Sequence, residues 1–189
     1  MNIVEIIGAV IGLAYIVSEY RADRWFWPLS LVMSAFYIAI DFTSGIYANG
    51  AICCYNFVMS IYGILVWHGI LGRRDKEERP VCSCPARYVP WLIVVSAVLS
   101  VALWAVLKYL LPDESQYPLI DGISSALTIV AMWMLSHKYW QQWIVWLIVE
   151  PMMIAIFWLT GNYASAALYV VFEIFCVLGI IRWKKESVS

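Results

Sequence analysis

The chain has 189 residues, of which 63% are hydrophobic and only 13% are charged. This balance, with a mean hydropathy of +0.79, excludes an ordinary soluble domain and indicates an integral membrane protein. The net charge of −1 also argues against a nucleic-acid partner, because the chain carries no excess of basic residues to attract a phosphate backbone.

Seven apolar runs follow one another along the chain, and each is long enough to cross a bilayer. They lie at about 3–20, 25–41, 47–71, 89–111, 119–139, 140–160 and 162–182. We therefore predict an all-α integral membrane protein with seven transmembrane helices. A single transmembrane domain then accounts for the whole of residues 1–189.

Basic residues are concentrated on one side of these helices. With seven spans, one side of the membrane receives eleven Lys and Arg residues, and the other side receives only Lys108. The eleven are Arg21, Arg24, Arg73, Arg74, Lys76, Arg79, Arg87, Lys138, Arg182, Lys184 and Lys185. Since basic residues favour the cytoplasmic side, we predict a cytoplasmic C-terminus and an external N-terminus. The first segment shows no signal-peptide pattern, so we expect it to be a retained helix.

The two ends of the chain match each other when the sequence is shifted by 116 residues without gaps. Gly63 and Trp67 then align with Gly179 and Trp183. The same shift aligns Trp27, Gly45, Tyr47, Ala48, Ala51 and Ile64 with Trp143, Gly161, Tyr163, Ala164, Ala167 and Ile180. A self-match of this length predicts a duplicated three-helix unit. Duplicated bundles in membranes usually form transporters, with the substrate site at the repeat interface.

The predicted repeats cover about 3–70 and about 119–186, and a polar loop with helix 4 lies between them at about 72–111. Because one odd helix separates the repeats, both start on the same side of the membrane. We therefore predict two parallel repeats in a 3+1+3 order, related by an axis along the membrane normal.

The loop before helix 4 contains Cys82 and Cys84. A Cys-x-Cys pair without a nearby His or Cys partner is a weak metal signal, and a reducing cytosol favours free thiols. We expect neither a metal nor a cofactor. The two histidines, His68 and His137, are expected to be solvated at the cytoplasmic ends of their helices.

Three polar side chains lie well inside apolar runs, namely Asn56, Glu150 and Glu173. A carboxylate at mid-depth costs roughly 2.5–3.5 kcal/mol, so it normally faces a cavity or a partner. Helix 6 reads Trp143-x-x-Trp146-x-x-x-Glu150, and steps of three and four place these side chains on one face. That face offers aromatic walls and a negative charge to a cationic heteroaromatic compound. A buried acid that is paired within the bundle, or protonated, is the alternative.

Helices 3 and 7 supply the other candidate binding residues. Asn56 and Ser60 share a face of helix 3, where Asn56 could bind a substrate or hydrogen-bond a neighbouring helix. On helix 7, Tyr169 lies one turn from Glu173. The predicted substrate-binding set is Glu150, Trp146, Trp143, Asn56, Tyr55, Ser60, Tyr169 and Glu173.

Other aromatic and acidic residues are expected to be structural or solvated. The tryptophans near predicted helix ends indicate an interfacial belt, and they are Trp25, Trp27, Trp67, Trp91 and Trp183. Asp41 near an outer helix end and Glu19 near an inner end are expected to be solvated.

The stretches that contain these residues resemble the PnuC family of vitamin transporters. They are IYANGAICCYNFVMSIYGILVW, IDGISSALTIVAMWMLSHKYWQQW and WIVWLIVEPMMIAIFWLTGNYASAALY. The Trp-x-x-Trp motif on helix 6, the Tyr-Ala pairs at 47–48 and 163–164 and a closing Trp in each repeat are features of the family. The resemblance implies a 3+1+3 facilitator, similar in architecture to the SWEET sugar facilitators.

The resemblance also implies how such a protein works. An unphosphorylated vitamin would pass the bacterial cytoplasmic membrane down its gradient, without ATP or ion coupling, and a cytosolic kinase would trap it. A homotrimer is implied as one possible assembly. Branches of the family carry nicotinamide riboside, thiamine, riboflavin or deoxynucleosides.

Glu150 departs from the family pattern, because nicotinamide riboside carriers resemble Trp-x-x-Trp-x-x-x-Asn. A carboxylate suits thiamine, whose thiazolium is cationic and whose aminopyrimidine can hydrogen-bond a carboxyl group. We therefore expect the chain to be most similar to the PnuT thiamine branch and to take up thiamine. Nicotinamide riboside, which is cationic through its pyridinium ring, is the alternative.

Two other functional classes remain open at this point. A membrane enzyme could use Glu150 and Glu173 as an acid pair, although the sequence shows no Ser/His/Asp set and no metal-ligand cluster. A receptor or scaffold would bind a ligand without any uptake.

Overall fold

The computed structural model describes residues 3–45, 47–71 and 80–187, with their side chains except those of residues 3–10 and Ser44. Within these ranges the chain forms seven α-helices and no strand. They are α1 (Ile3–Tyr20), α2 (Phe26–Ser44), α3 (Tyr47–Trp67), α4 (Val89–Ala105), α5 (Pro118–Ser136), α6 (Gln142–Leu159) and α7 (Tyr163–Glu186). A π-turn, Val106–Leu110, extends α4. Four residues of the predicted basic side, Arg73, Arg74, Lys76 and Arg79, lie outside the described ranges.

Six of the described helices are long and apolar enough to cross a membrane. These candidate spans are Phe26–Thr43, Tyr47–Trp67, Ala86–Leu110, Pro118–Ser136, Gln142–Leu159 and Tyr163–Glu186. The predicted all-helical membrane class is therefore confirmed. No residue of α4 is buried, and its exposed side chains are almost all apolar, so its surface suits contact with lipid.

The helices pack mainly against their neighbours in sequence. The pairs α2/α3, α4/α5 and α6/α7 are closely packed, while α1 packs against α2 and α7, and α5 also packs against α6 and α3. Gly122 lets α5 approach α4, because a Cβ atom there would lie 2.7 Å from the backbone nitrogen of Trp104. Small residues at such crossings bring helices together where lipid supplies no hydrophobic driving force.

The ends of the bundle differ in charge. We call the end at which α1, α3, α5 and α7 finish the basic end, and the other the opposite end. The described basic residues at the basic end are Arg21, Arg24, Arg87, Lys138, Arg182, Lys184 and Lys185.

Two tryptophan pairs close the basic end. The rings of Trp27 and Trp67 meet edge to face, with centroids 5.7 Å apart and planes at 86°. Trp143 and Trp183 meet with the same separation and the same angle. Trp27 lies flat on Gly63 and Trp143 lies flat on Gly179, so closely that neither glycine has room for a Cβ atom.

The interfacial-belt prediction is wrong for three of its five tryptophans. Trp27, Trp67 and Trp183 are at most 2% exposed and belong to the core cluster at the basic end. They are buried because each indole packs on another helix of the bundle, and Trp27 does so beside Gly63. Trp25 and Trp91 are 67% and 69% exposed, as a belt residue would be.

Other residues 116 positions apart also adopt matching geometries. Gly45 and Gly161 have φ angles of 76° and 78°, and Ala22 and Lys138 have φ angles of 53° and 52°. The indole of Trp67 donates a hydrogen bond to the carbonyl oxygen of Leu135 at 3.3 Å. The indole of Trp183 donates to the carbonyl oxygen of Tyr20 at 2.9 Å. Each closing tryptophan thus bonds the end of a helix in the other half of the chain.

The segment 80–85 crosses the basic end and lies on the turn between α5 and α6. The backbone N–H of Cys82 donates to the Lys138 carbonyl at 3.0 Å, and the Trp140 N–H donates to the Cys82 carbonyl at 3.1 Å. Cys82 and Cys84 are free thiols. Burial, with the neighbouring Cys82, raises the pKa of the Cys84 thiol, so at neutral pH it is protonated rather than in the thiolate form that binds metals.

His137 is not solvated as expected. Its ring lies 3.2 Å from the Tyr62 hydroxyl through Nε2 and stacks on Tyr139 at a centroid distance of 5.4 Å. It packs here because the turn after α5 folds back under the segment 80–85. His68 is exposed at the end of α3, in agreement with the prediction.

Candidate functional site

Two adjoining cavities lie beside α1, α6 and α7, and side chains of α2 and α3 also line the larger one. The larger, about 940 Å³, reaches from the middle of the bundle to the α6–α7 turn at the opposite end, where Gly161 and Asn162 line it. The smaller, about 190 Å³, lies deeper, toward the basic end. Tyr15, Tyr169 and Phe172 line both, so these three aromatic side chains form the boundary between them.

Two acids line the smaller cavity. Glu150 comes from α6 and is 5% exposed, and Glu19 comes from α1 and is 2% exposed. Among the described residues that line this cavity there is no Lys, Arg or His. One oxygen of each acid, Oε2 of Glu150 and Oε1 of Glu19, is buried without a hydrogen-bond partner. The cavity therefore offers buried oxygen acceptors and no protein cation to pair with them.

The surroundings of the two acids differ. Glu19 lies near the side chains of Gln142 and Trp146, two N–H donors on α6. Neither donor reaches normal hydrogen-bond geometry with any described protein group, although Gln142 is fully buried. Glu150 instead interacts with two other acids, Glu19 on one side and Glu173 on α7. Tyr15, Thr128 and Tyr169 line the same cavity, so hydroxyl groups as well as acids surround Glu150.

The aromatic wall of the smaller cavity comes from three helices. Trp146 on α6, Tyr15 on α1, and Tyr169 and Phe172 on α7 all line it. The Trp146 indole nitrogen is buried without a partner. A flat ring of a ligand could stack here, and a cationic ring would gain from the aromatic faces as well as from the acids.

Five of the predicted binding residues line the cavities or lie beside them. Glu150 and Trp146 line the smaller one, Asn56 lines the larger one, and Tyr169 lines both. The Oδ1 atom of Asn56 is buried without a hydrogen-bond partner. Glu173 is half-buried beside Glu150 but lines neither cavity, and its Oε2 atom also lacks a partner.

The other three predicted binding residues form internal contacts of the bundle. The Tyr55 hydroxyl donates to the Ile129 carbonyl of α5 at 2.7 Å. Ser60 is fully buried and hydrogen-bonds the Ser30 hydroxyl of α2 at 2.9 Å. Trp143 is fully buried against Trp183 and lines neither cavity.

Both acids that were expected to be solvated are buried. Asp41 is 4% exposed and accepts a hydrogen bond of 2.8 Å from the Asn49 amide, because α3 turns back over the end of α2. Glu19 is buried because α6 and α7 cover the last turn of α1. The sequence contained a signal for Glu19 that hydropathy did not reveal, since Tyr15-x-x-x-Glu19 repeats the one-turn Tyr/Glu spacing of Tyr169 and Glu173.

The sequence as a whole matches one family of membrane transporters. The family model described as nicotinamide mononucleotide transporter matches residues 2–185. The chain belongs to the PnuC family. The resemblance stated from the sequence is confirmed, and with it a multi-pass membrane transporter rather than an enzyme.

Relatives with curated names are distant but cover almost the whole chain. The nicotinamide riboside transporter PnuC of Escherichia coli strain K12 is 23% identical over 95% of this chain and 84% of its own length. PnuC of Neisseria mucosa is 24% identical over 95% of this chain and 71% of its own length. The riboflavin/roseoflavin transporter RibM of Streptomyces davaonensis is 23% identical over 97% of this chain and 85% of its own length.

A solved structure supports the same fold. The crystal structure of the vitamin B3 transporter PnuC is similar with a TM-score of 0.72 at 20% identity, covering 94% of this chain and 78% of the other. The names of these relatives refer to nicotinamide riboside, riboflavin and vitamin B3. The expected thiamine specificity finds no support in them.

Proposed function

We propose that this PnuC-family transporter takes up a small cationic vitamin with a flat heteroaromatic ring, and that nicotinamide riboside is its first candidate substrate. Two observations support the proposal. The PnuC relatives from Escherichia coli and Neisseria mucosa carry that substrate in their names. The smaller cavity combines two buried acids with aromatic walls and has no described basic lining residue.

The unpartnered acids are the observation that carries the choice of a cation. A carboxyl group at mid-membrane depth is costly unless it faces a partner or a cavity. Glu150 and Glu19 face a cavity and find no cationic side chain among the described residues that line it. A cationic ring stacked on Trp146 would supply the missing positive charge. A neutral isoalloxazine or nucleoside would not.

Thiamine is the second candidate, on the strength of Glu150 alone. The position after Trp-x-x-Trp-x-x-x carries Glu here, where nicotinamide riboside carriers were expected to carry Asn. A carboxyl group can hydrogen-bond the aminopyrimidine of thiamine and attract its thiazolium. Both candidates are cations, so the choice between them depends on whether the site prefers a ribose or an aminopyrimidine.

We propose the 3+1+3 arrangement for the domain, with repeats at about 3–70 and about 119–186 and helix 4 between them. The matched tryptophan pairs, the matched glycine φ angles and the reciprocal indole hydrogen bonds, all at a spacing of 116 residues, support it. The first helix of each proposed repeat packs against the third helix of the other, so the cavity lined by α1, α6 and α7 lies at the repeat interface.

The basic end is proposed to face the cytoplasm, which would place the N-terminus outside and open the larger cavity to the exterior. Trapping by a cytosolic kinase and assembly as a homotrimer in the bacterial inner membrane belong to the same proposal.

Titration calorimetry of the purified protein against nicotinamide riboside, thiamine and riboflavin in parallel tests the substrate. We expect heat from nicotinamide riboside and none from riboflavin. Binding of thiamine alone would return the substrate to the second candidate. Binding of riboflavin alone would contradict the proposed cation site.

A further inference from the structure

A groove of about 490 Å³ lies on the surface of the basic end, between the end of α1 and the last turns of α7. Tyr20 lines it from α1, and α7 contributes two cations, one acid and two aliphatic side chains. These α7 residues are Leu178, Ile181, Arg182, Lys185 and Glu186. Steps of three and four residues place the two cations and the aliphatic side chains on one face of the helix. None of the described lining residues also lines either cavity of the candidate site.

The two cations of this groove are available to a ligand. The Arg182 guanidinium lies over the Tyr20 ring, with Cζ 4.8 Å from the ring centroid, and its Nε atom donates to Oε1 of Glu186 at 2.8 Å. The hydrogen bond to Glu186 uses Nε, so Nη1 and Nη2 can donate to a second anion. Lys185 is exposed and forms no hydrogen bond or ion pair with the described residues. With two cations and one acid, the groove carries a net positive charge.

Exposed apolar side chains continue from the groove along α7, toward the middle of the bundle. Ile181, Leu178, Val177 and Ile174 are 63%, 42%, 46% and 55% exposed. Helix α7 is long and apolar enough to cross a membrane, so this face suits contact with acyl chains. Cations at the end of an apolar face match the two parts of a phospholipid, whose phosphate lies at the membrane surface and whose chains lie in the core.

The equivalent place in the other half of the chain has no such groove-lining cations. The shift of 116 residues pairs Tyr20, Arg182 and Lys185 with Ser136, Val66 and Gly69. Ser136 and Val66 are buried, and Val66 belongs to the same core cluster as Val81 of the segment 80–85. Where α3 meets α5, protein therefore covers the surface, whereas the cations beside α1 lie on an accessible surface. The groove is a property of this one place and not of the repeated framework.

We propose that the groove binds one anionic phospholipid, with its phosphate against Arg182 and Lys185 and its acyl chains along the exposed apolar face of α7. A guanidinium group can hold a phosphate through two parallel N–H bonds, and an ammonium group adds a point charge. Basic pockets between transmembrane helices recognise anionic headgroups in this way. Phosphatidylglycerol fits, because its headgroup adds no positive charge. Phosphatidylcholine brings a quaternary ammonium group to a groove that is already positive.

The position of the groove gives the lipid a structural effect. The indole of Trp183 donates to the carbonyl oxygen of Tyr20 at 2.9 Å, and this bond joins α7 to the end of α1 beside the groove. A lipid that contacts both helices holds them together at the same place. The bound lipid therefore stabilises the closed basic end, whichever vitamin the protein carries.

Lipid binding is measured by native mass spectrometry of the purified full chain in an uncharged detergent. The protein is titrated with phosphatidylglycerol and, in parallel, with phosphatidylcholine. We expect one phosphatidylglycerol to bind per chain at saturation, and phosphatidylcholine to bind much more weakly. Arg182→Gln and Lys185→Gln should each weaken the binding of phosphatidylglycerol about fivefold, the usual contribution of one basic residue near anionic lipid.

Two variants remove the same charge at the same end of the bundle and serve as controls. Arg87 lies over the Tyr88 ring at 4.9 Å, and Lys184 lies over the Trp140 ring at 5.4 Å. Neither residue lines the groove. Arg87→Gln and Lys184→Gln should therefore bind phosphatidylglycerol as the unchanged protein does.

Thermal unfolding in mixed micelles provides a second measurement. Phosphatidylglycerol should raise the unfolding temperature of the unchanged protein more than that of Lys185→Gln, because a ligand of the folded state stabilises it. Equal binding of the two lipids, or equal losses in the control variants, would overturn the site and indicate only a general attraction to the basic end. Displacement of the lipid by glycerol 3-phosphate would assign the groove to a soluble phosphate compound instead. Because the experiments involve no vitamin, each of these results leaves the proposed function unchanged.

Discussion

At the scale of single residues, position along a helix is a poor guide to what a side chain touches. Glu150 was expected to face a cavity because its depth in helix 6 makes solvation impossible, and the structure places it there. Glu19 lies one residue from the end of α1, where solvation looked possible, yet it is the more buried of the two acids. The hydropathy of the sequence indicates which part of a helix lies within the lipid. Burial of a side chain at a helix end depends instead on which neighbouring helices cover it.

Trp146 is expected to contribute to vitamin binding by stacking. It lines the smaller cavity and is the flat surface on which a heteroaromatic cation would stack. Trp146→Ala should weaken binding of the cationic vitamin about tenfold or more, since a desolvated cation–π contact and aromatic stacking together contribute on the order of 1.5–3 kcal/mol. Titration calorimetry measures the change.

Trp91→Ala is the control for that substitution. Trp91 is 69% exposed on α4, away from both cavities, so its loss should leave the affinity unchanged. Equal losses in the two variants would assign Trp146 a structural role only.

At the scale of the helices, the sequence predicted all seven elements and most of their ends. The predicted run at about 140–160 corresponds to Gln142–Leu159, and the run at about 119–139 to Pro118–Ser136, because the thickness of a bilayer fixes the length of an apolar helix. What the apolar runs did not reveal was which tryptophans pack inside. An apolar residue near a helix end can face headgroups or a neighbouring helix, and only the packing partner, here Gly63 or Gly179, decides between them.

Those glycines supply the prediction at this scale. Gly63→Ala and Gly179→Ala each place a methyl group into the face of an indole, Trp27 or Trp143, that cannot move because it is fully buried. Each should lower the free energy of unfolding by about 1–3 kcal/mol, as overpacking of a core does. Thermal unfolding in detergent, followed by tryptophan fluorescence, measures the loss.

A matched control adds bulk where space is open. Ala155 is exposed on α6, so Ala155→Val should leave the unfolding temperature nearly unchanged. Because the two glycine sites have the same geometry, their losses should also be similar. A large loss of stability at one glycine and none at the other would mean that the two tryptophan pairs contribute differently to the stability of the fold.

At the scale of the whole molecule, the shift of 116 residues is the feature from which most follows. It pairs positions that the structure gives nearly identical backbone angles, such as Gly45 with Gly161, and it relates two ring contacts of equal distance and angle. The shift could not predict the cavity, because the acids that line it have no acidic counterparts. Positions 135 and 34, which match Glu19 and Glu150, hold Leu and Ser. The repeat therefore accounts for the matched backbone angles and tryptophan contacts. The acids that line the cavity lie at positions where the two repeats differ.

Orientation in the membrane is the prediction for the molecule as a whole. Because the described basic residues concentrate at one end, a reporter that is fluorescent only in the cytoplasm should be active when fused after Ser189. A periplasmic phosphatase fused at the same point should be inactive. The opposite pair of results would invert the proposed topology and open the larger cavity to the cytoplasm.

Under the proposed function, the acidic lining of the smaller cavity would also disfavour anionic forms of the vitamin. A vitamin that has been phosphorylated carries a dianionic group, and the described lining of the cavity presents two acids and no basic residue to receive it. Such a compound would meet an unfavourable field at the place where the proposed site would attract its unmodified form. If the cell phosphorylates the vitamin after entry, the phosphorylated form would not leave through the same protein. Net transport would then be inward, although the protein itself would have no separate device that blocks efflux.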